Sequence, residues 1–214
     1  VFAEGGLDPT VITGGIINGW GTNARLGQGR WMIVEADESD GTFIRLPTEI
    51  GVVTNIDPEH LDHFKTIENM HREYEAFYRS IPFYGLAVTC VDHPVVRDMI
   101  ERLELRRDGR PLITYGTLDG ADIVLRGLRA DGTHTVFDAD VGPRVRGGVR
   151  QIRGWTLPMA GTHNVQNALA AFAVAAEAGL TDAAIRSALA TFSGVKGGVQ
   201  PTGTWDGVSS YGDY

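Results

Sequence analysis

The chain has 214 residues, 43% hydrophobic and 21% charged, with a formal net charge of −8. That balance belongs to an ordinary globular protein and excludes a low-complexity or fibrous chain. The acidic excess argues against nucleic-acid binding, since no basic face offsets phosphate repulsion, and no apolar run reaches the length needed for membrane insertion.

Residues 1–6, VFAEGG, have the look of a helix end running into a glycine stop, so the chain reads as opening mid-fold, with no signal peptide. Residues 10–13 follow Pro9 as a short apolar strand. The next stretch, GGIINGWGTNARLGQG at 14–29, holds six glycines and reads as a loop that can bring backbone close to a ligand. It is not a Walker motif, because no Gly-Lys-Thr/Ser is present. Asn18, Asn23 and Arg25 give this loop polar handles for an anionic or sugar-bearing ligand.

Two apolar runs then stop abruptly at acidic residues, WMIVEADESD at 31–40 and EIGVVTNIDPEHLDH at 49–63. Short continuous apolar runs suit parallel strands covered on both faces, and such sheets place ligands at the carboxyl ends of their strands. Taken as neighbouring strands, the two would aim Glu35, Asp37, Glu38 and Asp40, with Asp57, Glu59, His60, Asp62 and His63, at one rim. Acidic residues there can also cap helices or meet solvent. No second His or Cys pair supports zinc. Magnesium suits the carboxylates better, although imidazole is an uncommon magnesium ligand unless a nucleotide shares the site.

Residues 66–81 carry Ile67, Met70, Tyr74, Phe77 and Ile81 at helical spacing, with Thr66 as a cap and Pro82 as a stop. His71 and Arg72 fall off this stripe. Residues 86–91 read as a strand, in which Cys90 is a buried small residue; a lone cysteine makes no internal disulfide and suits a reducing, cytoplasmic compartment. Residues 94–107 read as a helix with Val96, Met99, Ile100 and Leu103 inward and Arg102, Arg106 and Arg107 near its negative end. A strand at 111–115 completes a strand–helix alternation that predicts a parallel α/β sheet.

The pattern changes near Gly120. Segments 122–129, 133–140 and 149–157 are β-prone and read as a small antiparallel meander, with His134 towards solvent. Helical spacing returns with Val165, Ala168, Leu169, Phe172, Ala173 and Ala176, stopped by Gly179, and again from Thr181 with Ile185, Ala188, Leu189 and Phe192 inward. Asn164 and Asn167 share one face at the start of the first of these helices; either both meet a ligand or Asn164 is only a cap.

Taken together, GGLDPTVITGGIINGWGTNARLG, VEADESDGTF, VVTNIDPEHLDH, IPFYG and GTHNVQNALAA, in that order, resemble the Mur ligase family, and DESDGTF with NIDPEHLDH favours its alanine-adding branch. The resemblance implies a central ATP-binding domain with a mostly parallel sheet flanked by helices. It implies ATP and Mg2+ as cofactors, and UDP-N-acetylmuramate and L-alanine as substrates, joined through an acyl phosphate. By the same resemblance Glu38 and His60 correspond to catalytic magnesium ligands, Asn164 and Asn167 to adenine contacts, and Asp213 to an acidic residue near the ribose. The 14–29 loop would border the UDP-muramoyl site.

Three departures qualify this. The family's GTxGKTT phosphate loop is not among these residues, and the strand before it would normally lie inside the sheet, so its loss would leave strand edges open. The family's amino-acid-binding C-terminal domain would begin near Thr202. After Lys196 the family usually has Arg-Arg-Phe, where this chain has Gly197-Gly198-Val199. The expected organisation is therefore residues 1–198 as a central ATP-binding domain without its phosphate loop, and 199–214 as a linker into a further domain. Such a chain is expected to be inactive alone. Alternatives are the related murein-peptide recycling ligase, a non-catalytic nucleotide-binding module, and a metal-dependent hydrolase built on Glu38 and His60.

Overall fold

A computed structural model describes residues 1–39, 41–107, 109–195, 200–205 and 208–212, the last two ranges as backbone only. The expectations for Asp40, Gly197, Gly198 and Asp213 lie outside the described residues.

Strands β1 (Thr10–Ile17), β2 (Thr22–Arg25) and β3 (Met32–Val34) form a three-stranded sheet in the order β2-β1-β3. β1 and β2 are an antiparallel hairpin, while β1 and β3 run parallel. The expected 14–29 loop is thus largely a hairpin. Its glycines serve the chain itself: a Cβ on Gly27 would stand 2.1 Å from the Asp8 carbonyl oxygen, and one on Gly29 1.9 Å from that of Leu7. The backbone that these glycines approach is residues 7–9.

The second sheet has six strands in chain order: β4 (Ile50–Val53), β5 (Leu86–Cys90), β6 (Leu112–Gly116), β7 (Ile123–Asp131), β8 (His134–Val141) and β9 (Arg150–Leu157). β4 to β7 are parallel; β8 and β9 continue antiparallel. The mostly parallel sheet with a small meander is as expected. The pairing of the two acidic-ended runs is not: β3 pairs with β1 and β4 with β5, so they are not neighbours. β3 is not covered on both faces either, since Met32 is 59% and Ile33 38% exposed.

Period-two alternation sorts the buried strands between two cores. Leu86, Val88, Cys90, Ile113 and Tyr115 face helices α4 (Thr162–Glu177) and α5 (Asp182–Ala190). Ala87 and Leu112 face α2 (Ile67–Ser80) and α3 (Pro94–Arg102), with Met70, Phe77, Val96 and Met99. Thr89, on that second face, hydrogen-bonds the Tyr78 hydroxyl at 2.7 Å, which satisfies two buried polar groups at once. In α2, Met70, Phe77 and the flanking Ile81 are buried, while Ile67 at the solvent end is exposed.

α3 is shorter than its spacing suggests. Glu104 adopts φ +49 and breaks it, and Arg106 turns away to Asp122 (3.1 Å) instead of serving the helix end. β7 is joined to β6 by a six-residue connection, short for parallel strands. The register explains this: Ile123 and Val124 sit beside Tyr115 and Gly116, so β7 starts where β6 ends and runs on past it. Asp122 pins that start, accepting from the Thr114 N–H at 2.8 Å and hydroxyl at 2.9 Å.

A four-residue helix, α1 (Leu61–Phe64), follows β4, and the backbone at 200–212 forms a hairpin of β10 (Gln200–Trp205) and β11 (Val208–Gly212).

Candidate metal and nucleotide site

The carboxyl ends of β3 and β4 meet although the strands do not pair. His60 Nε2 lies 3.5 Å from Glu38 Oε1. Glu59 joins them: one ligand atom from each of Glu38, Glu59 and His60 lies within 4.8 Å of the other two. His60 takes a left-handed backbone conformation (φ 52, ψ 36) at the start of α1, which turns the chain at the rim.

The other acidic and histidine groups of the two runs go elsewhere. Glu35 accepts from the Gly14 N–H at 2.8 Å, and Asp37 from the Ser39 N–H at 2.8 Å. Asp57 lies 3.0 Å from His93 Nε2 and accepts from Asn55 at 2.7 Å; hydrogen bonds from Asn55 and then His93 hold its carboxyl below the ordinary carboxylate value. His63 stands 4.0 Å from Glu73, and Asp62 is exposed.

A cavity of about 140 Å³ adjoins the group, lined by Glu38, Val53, Asn55, Tyr74 and Phe77 among others. Burial, reinforced by the carboxylates of Glu38, Glu59 and Asp57, pushes the Tyr74 phenol up to about 12, so it stays a neutral hydrogen-bonding group. Sequence spacing places Tyr74 in the core stripe and does not reveal this polar end.

Asn164 and Asn167 lie in the first two turns of α4. Gly161 precedes the helix without a side-chain cap, and Asn164 Nδ2 donates to the Ala160 carbonyl at 2.7 Å, so Asn164 is not the cap. Asn167 is exposed. Gln166, between them, donates to Asp92, which follows β5 and also accepts from the Thr117 N–H at 2.8 Å. With His93 holding Asp57, these bonds connect the ends of β4, β5 and β6 to the start of α4. The start of α4 therefore lies at the carboxyl-end rim of the six-stranded sheet, where open parallel sheets bind ligands, and Glu59 and His60 follow β4 at that rim.

The three residues expected as substrate handles are differently occupied. Asn18 donates to the Ser193 carbonyl at 2.8 Å. Arg25 pairs with Asp8 at 2.7 Å and stacks over Trp20. Asn23 is exposed.

The sequence over residues 28–175 matches the Mur ligase middle domain. The chain belongs to the Mur ligase family. The matched range contains Glu38, Glu59, His60, Asn164 and Asn167, and leaves out Asn18, Asn23, Arg25 and Asp213. Among relatives, the UDP-N-acetylmuramate–L-alanine ligase of Rhizobium johnstonii is 49% identical over 214 residues, 100% of this chain and 45% of that protein. Its counterpart in Bradyrhizobium diazoefficiens is 53% identical over 210 residues, 98% of this chain and 44% of that protein. This Mur ligase chain thus spans under half the length of those relatives. Among solved structures, the UDP-N-acetylmuramate–alanine ligase MurC of Thermotoga maritima superposes with a TM-score of 0.77 at 22% identity, over 100% of this chain and 45% of that one. The UDP-N-acetylmuramate:L-alanyl-gamma-D-glutamyl-meso-diaminopimelate ligase of Neisseria meningitides gives 0.73 at 23%, over 91% and 60%. At those identities the superpositions bear on the fold alone.

Proposed function

We propose that this chain is the metal- and nucleotide-handling part of an ATP-dependent ligase that joins L-alanine to UDP-N-acetylmuramate in peptidoglycan precursor synthesis, acting in the cytoplasm. Residues 1–198 would make up its central ATP-binding domain, and 199–214 would lead into a further domain. The observation that carries this reading is the convergence of Glu38, Glu59 and His60 on one strand-end rim in a chain about half identical to alanine-adding relatives. Among the described residues no helix is long and apolar enough to cross a membrane, which accords with that compartment.

The donor set fits a magnesium ion. Two carboxylates are hard oxygen ligands, and the partial exposure of the group leaves room for water and phosphate oxygens. Glu38 and His60, with Glu59 beside them, would hold Mg2+, which would neutralise charge on the transferring phosphoryl group. Glu38 and Glu59 would carry the negative charge that keeps the cation at the rim. Tyr74, neutral at physiological pH, would offer a hydrogen bond beside Glu38 without adding charge. Asn164 and Asn167, at the start of α4, would contact the adenine, and Asp213 the ribose. Asn18 and Arg25, tied to Ser193 and Asp8, would hold the hairpin that borders the sugar-nucleotide site, and the exposed Asn23 would face the substrate there. Phosphoryl transfer to the muramoyl carboxylate would give an acyl phosphate, which the amine of L-alanine attacks to form the amide and release phosphate.

The test is a chimera in which these 214 residues replace the aligned part of the Bradyrhizobium diazoefficiens relative. ADP release that requires both UDP-N-acetylmuramate and L-alanine, and falls about 100-fold or more in Glu38→Ala, is the expected result. Release driven by a murein peptide but not by L-alanine, or unchanged in Glu38→Ala, would overturn the reading.

A further inference from the structure

A cavity of about 540 Å³ shares no lining residue with the one beside Glu38. It sits between α3 and the connection that joins β6 to β7, residues 117–122. Its origin is topological. Parallel neighbours are usually joined by a crossover helix that covers the sheet. Here β7 starts level with the end of β6, no helix intervenes, and the space beside α3 stays open.

Arg97 and Arg106 line this cleft; Arg97 is half-buried, and Arg106 is exposed. Arg97 Nη1 donates to the backbone carbonyls of Val91 and Asp92, and among the described residues no carboxylate lies within ion-pair distance of it. Arg106 pairs with Asp122, but Arg144 claims the other oxygen of the same carboxylate at 3.0 Å. Two guanidinium groups share one anion, so that cluster keeps a net positive charge. The carboxylates that line the cleft, Glu101, Glu104 and Asp119, are exposed at its rim, and two are already committed: Glu104 to Arg107 and Asp119 to Arg126. Ile100, Leu118 and Ala121 supply apolar wall.

We propose that the α3–β7 cleft is a second small-molecule site, separate from the ligase rim, that takes a compact organic anion: one phosphate or carboxylate group met by Arg97 and Arg106, on an apolar body lying against Ile100 and Leu118. Guanidinium groups are suited to such oxyanions, because their planar donors match phosphate and carboxylate and they are weakly hydrated. The proposal does not depend on the ligase reading, since none of these side chains belongs to the metal and nucleotide rim.

The experiment is a titration of the 15N-labelled chain with phenyl phosphate, followed by amide chemical shifts, beside the same titration with neutral benzyl alcohol. Saturable shifts centred on Arg97 and Leu118 to Ala121, with an apparent Kd on the order of millimolar, are expected for phenyl phosphate and not for benzyl alcohol. Arg97→Gln should weaken the binding about tenfold, the loss of one charge-assisted hydrogen bond. Equal shifts with both compounds, shifts centred elsewhere, or no saturable shift across the millimolar range would overturn the proposal. The comparison of the two compounds on the unaltered chain decides the matter even if Arg97→Gln does not fold.

Discussion

At the start of β7, Asp122 is a buried carboxylate that ties two strands and two arginines together. Only 4% exposed, it accepts from the Thr114 N–H and hydroxyl and from Arg106 and Arg144. Burial alone would raise its pKa, but the Thr114 bonds, then Arg144 and Arg106, outweigh it and hold the carboxyl below 3.8. A depressed carboxyl stabilises the folded state fully above its unfolded pKa, and that contribution is lost as pH falls through the folded value. Acid unfolding should therefore steepen below about pH 4, and Asp122→Asn should flatten that part of the stability–pH curve in denaturant titrations. Asp122→Ala should cost about 1–3 kcal/mol at neutral pH, mainly by leaving the buried Thr114 N–H without a partner. The arginine contribution is smaller, because Arg144 is largely exposed. None of this was legible in the sequence, where Asp122 is one acidic residue at a strand start and Arg106 reads as a helix-end cation. Strand-end position and residue type mark Glu38 and His60 only among a larger set of acidic and histidine residues at the rim, and the Mur ligase resemblance is what picks these two out. Glu59 was visible only as a member of the same acidic tract.

Among the elements, those with a strong apolar period were read most accurately. α2 has its cap where expected: Thr66 accepts from the Asn69 N–H at 3.1 Å, and Thr181 does the same for α5 from Ala184 at 3.3 Å. Each cap replaced by alanine should lower stability by about 1 kcal/mol, measured as a shift in the denaturant midpoint with an unchanged slope. An unchanged midpoint would mean that neighbouring contacts hold the helix start without the hydroxyl. The sequence extends α3 to residue 107 because residues 103–107 are good helix formers, and tertiary demands at Glu104 and Arg106 override that preference. The hairpin of β1 and β2 was missed because glycine and asparagine are common loop residues, and here the glycines answer a close backbone approach. Gly27→Ala should be strongly destabilising for that reason, and loss of the β1–β2 amide protection in hydrogen exchange would register it.

At the scale of the whole molecule, an apolar run announces a buried strand but not its partner. That is why β3 and β4 could be recognised while their separation into two sheets could not. Each ends its sheet with one neighbour only, and the exposed side chains there are apolar: Met32 and Ile33 on β3, and Val52 on β4. Unpaired apolar edges template pairing between chains. The 214-residue chain should self-associate with increasing concentration in sedimentation velocity, and Met32→Lys with Val52→Lys should suppress it; a monomer at all concentrations would show these edges to be inert. The central claim is that the ends of those two strands, in separate sheets, combine into one divalent-cation site. It is tested most directly by titrating Mn2+, which accepts the same oxygen-rich ligands, into the 15N-labelled chain and following paramagnetic broadening. The account predicts saturable broadening centred on residues 38, 59 and 60 that disappears in Glu38→Gln. Broadening spread evenly over the acidic surface, or unchanged in Glu38→Gln, would contradict it.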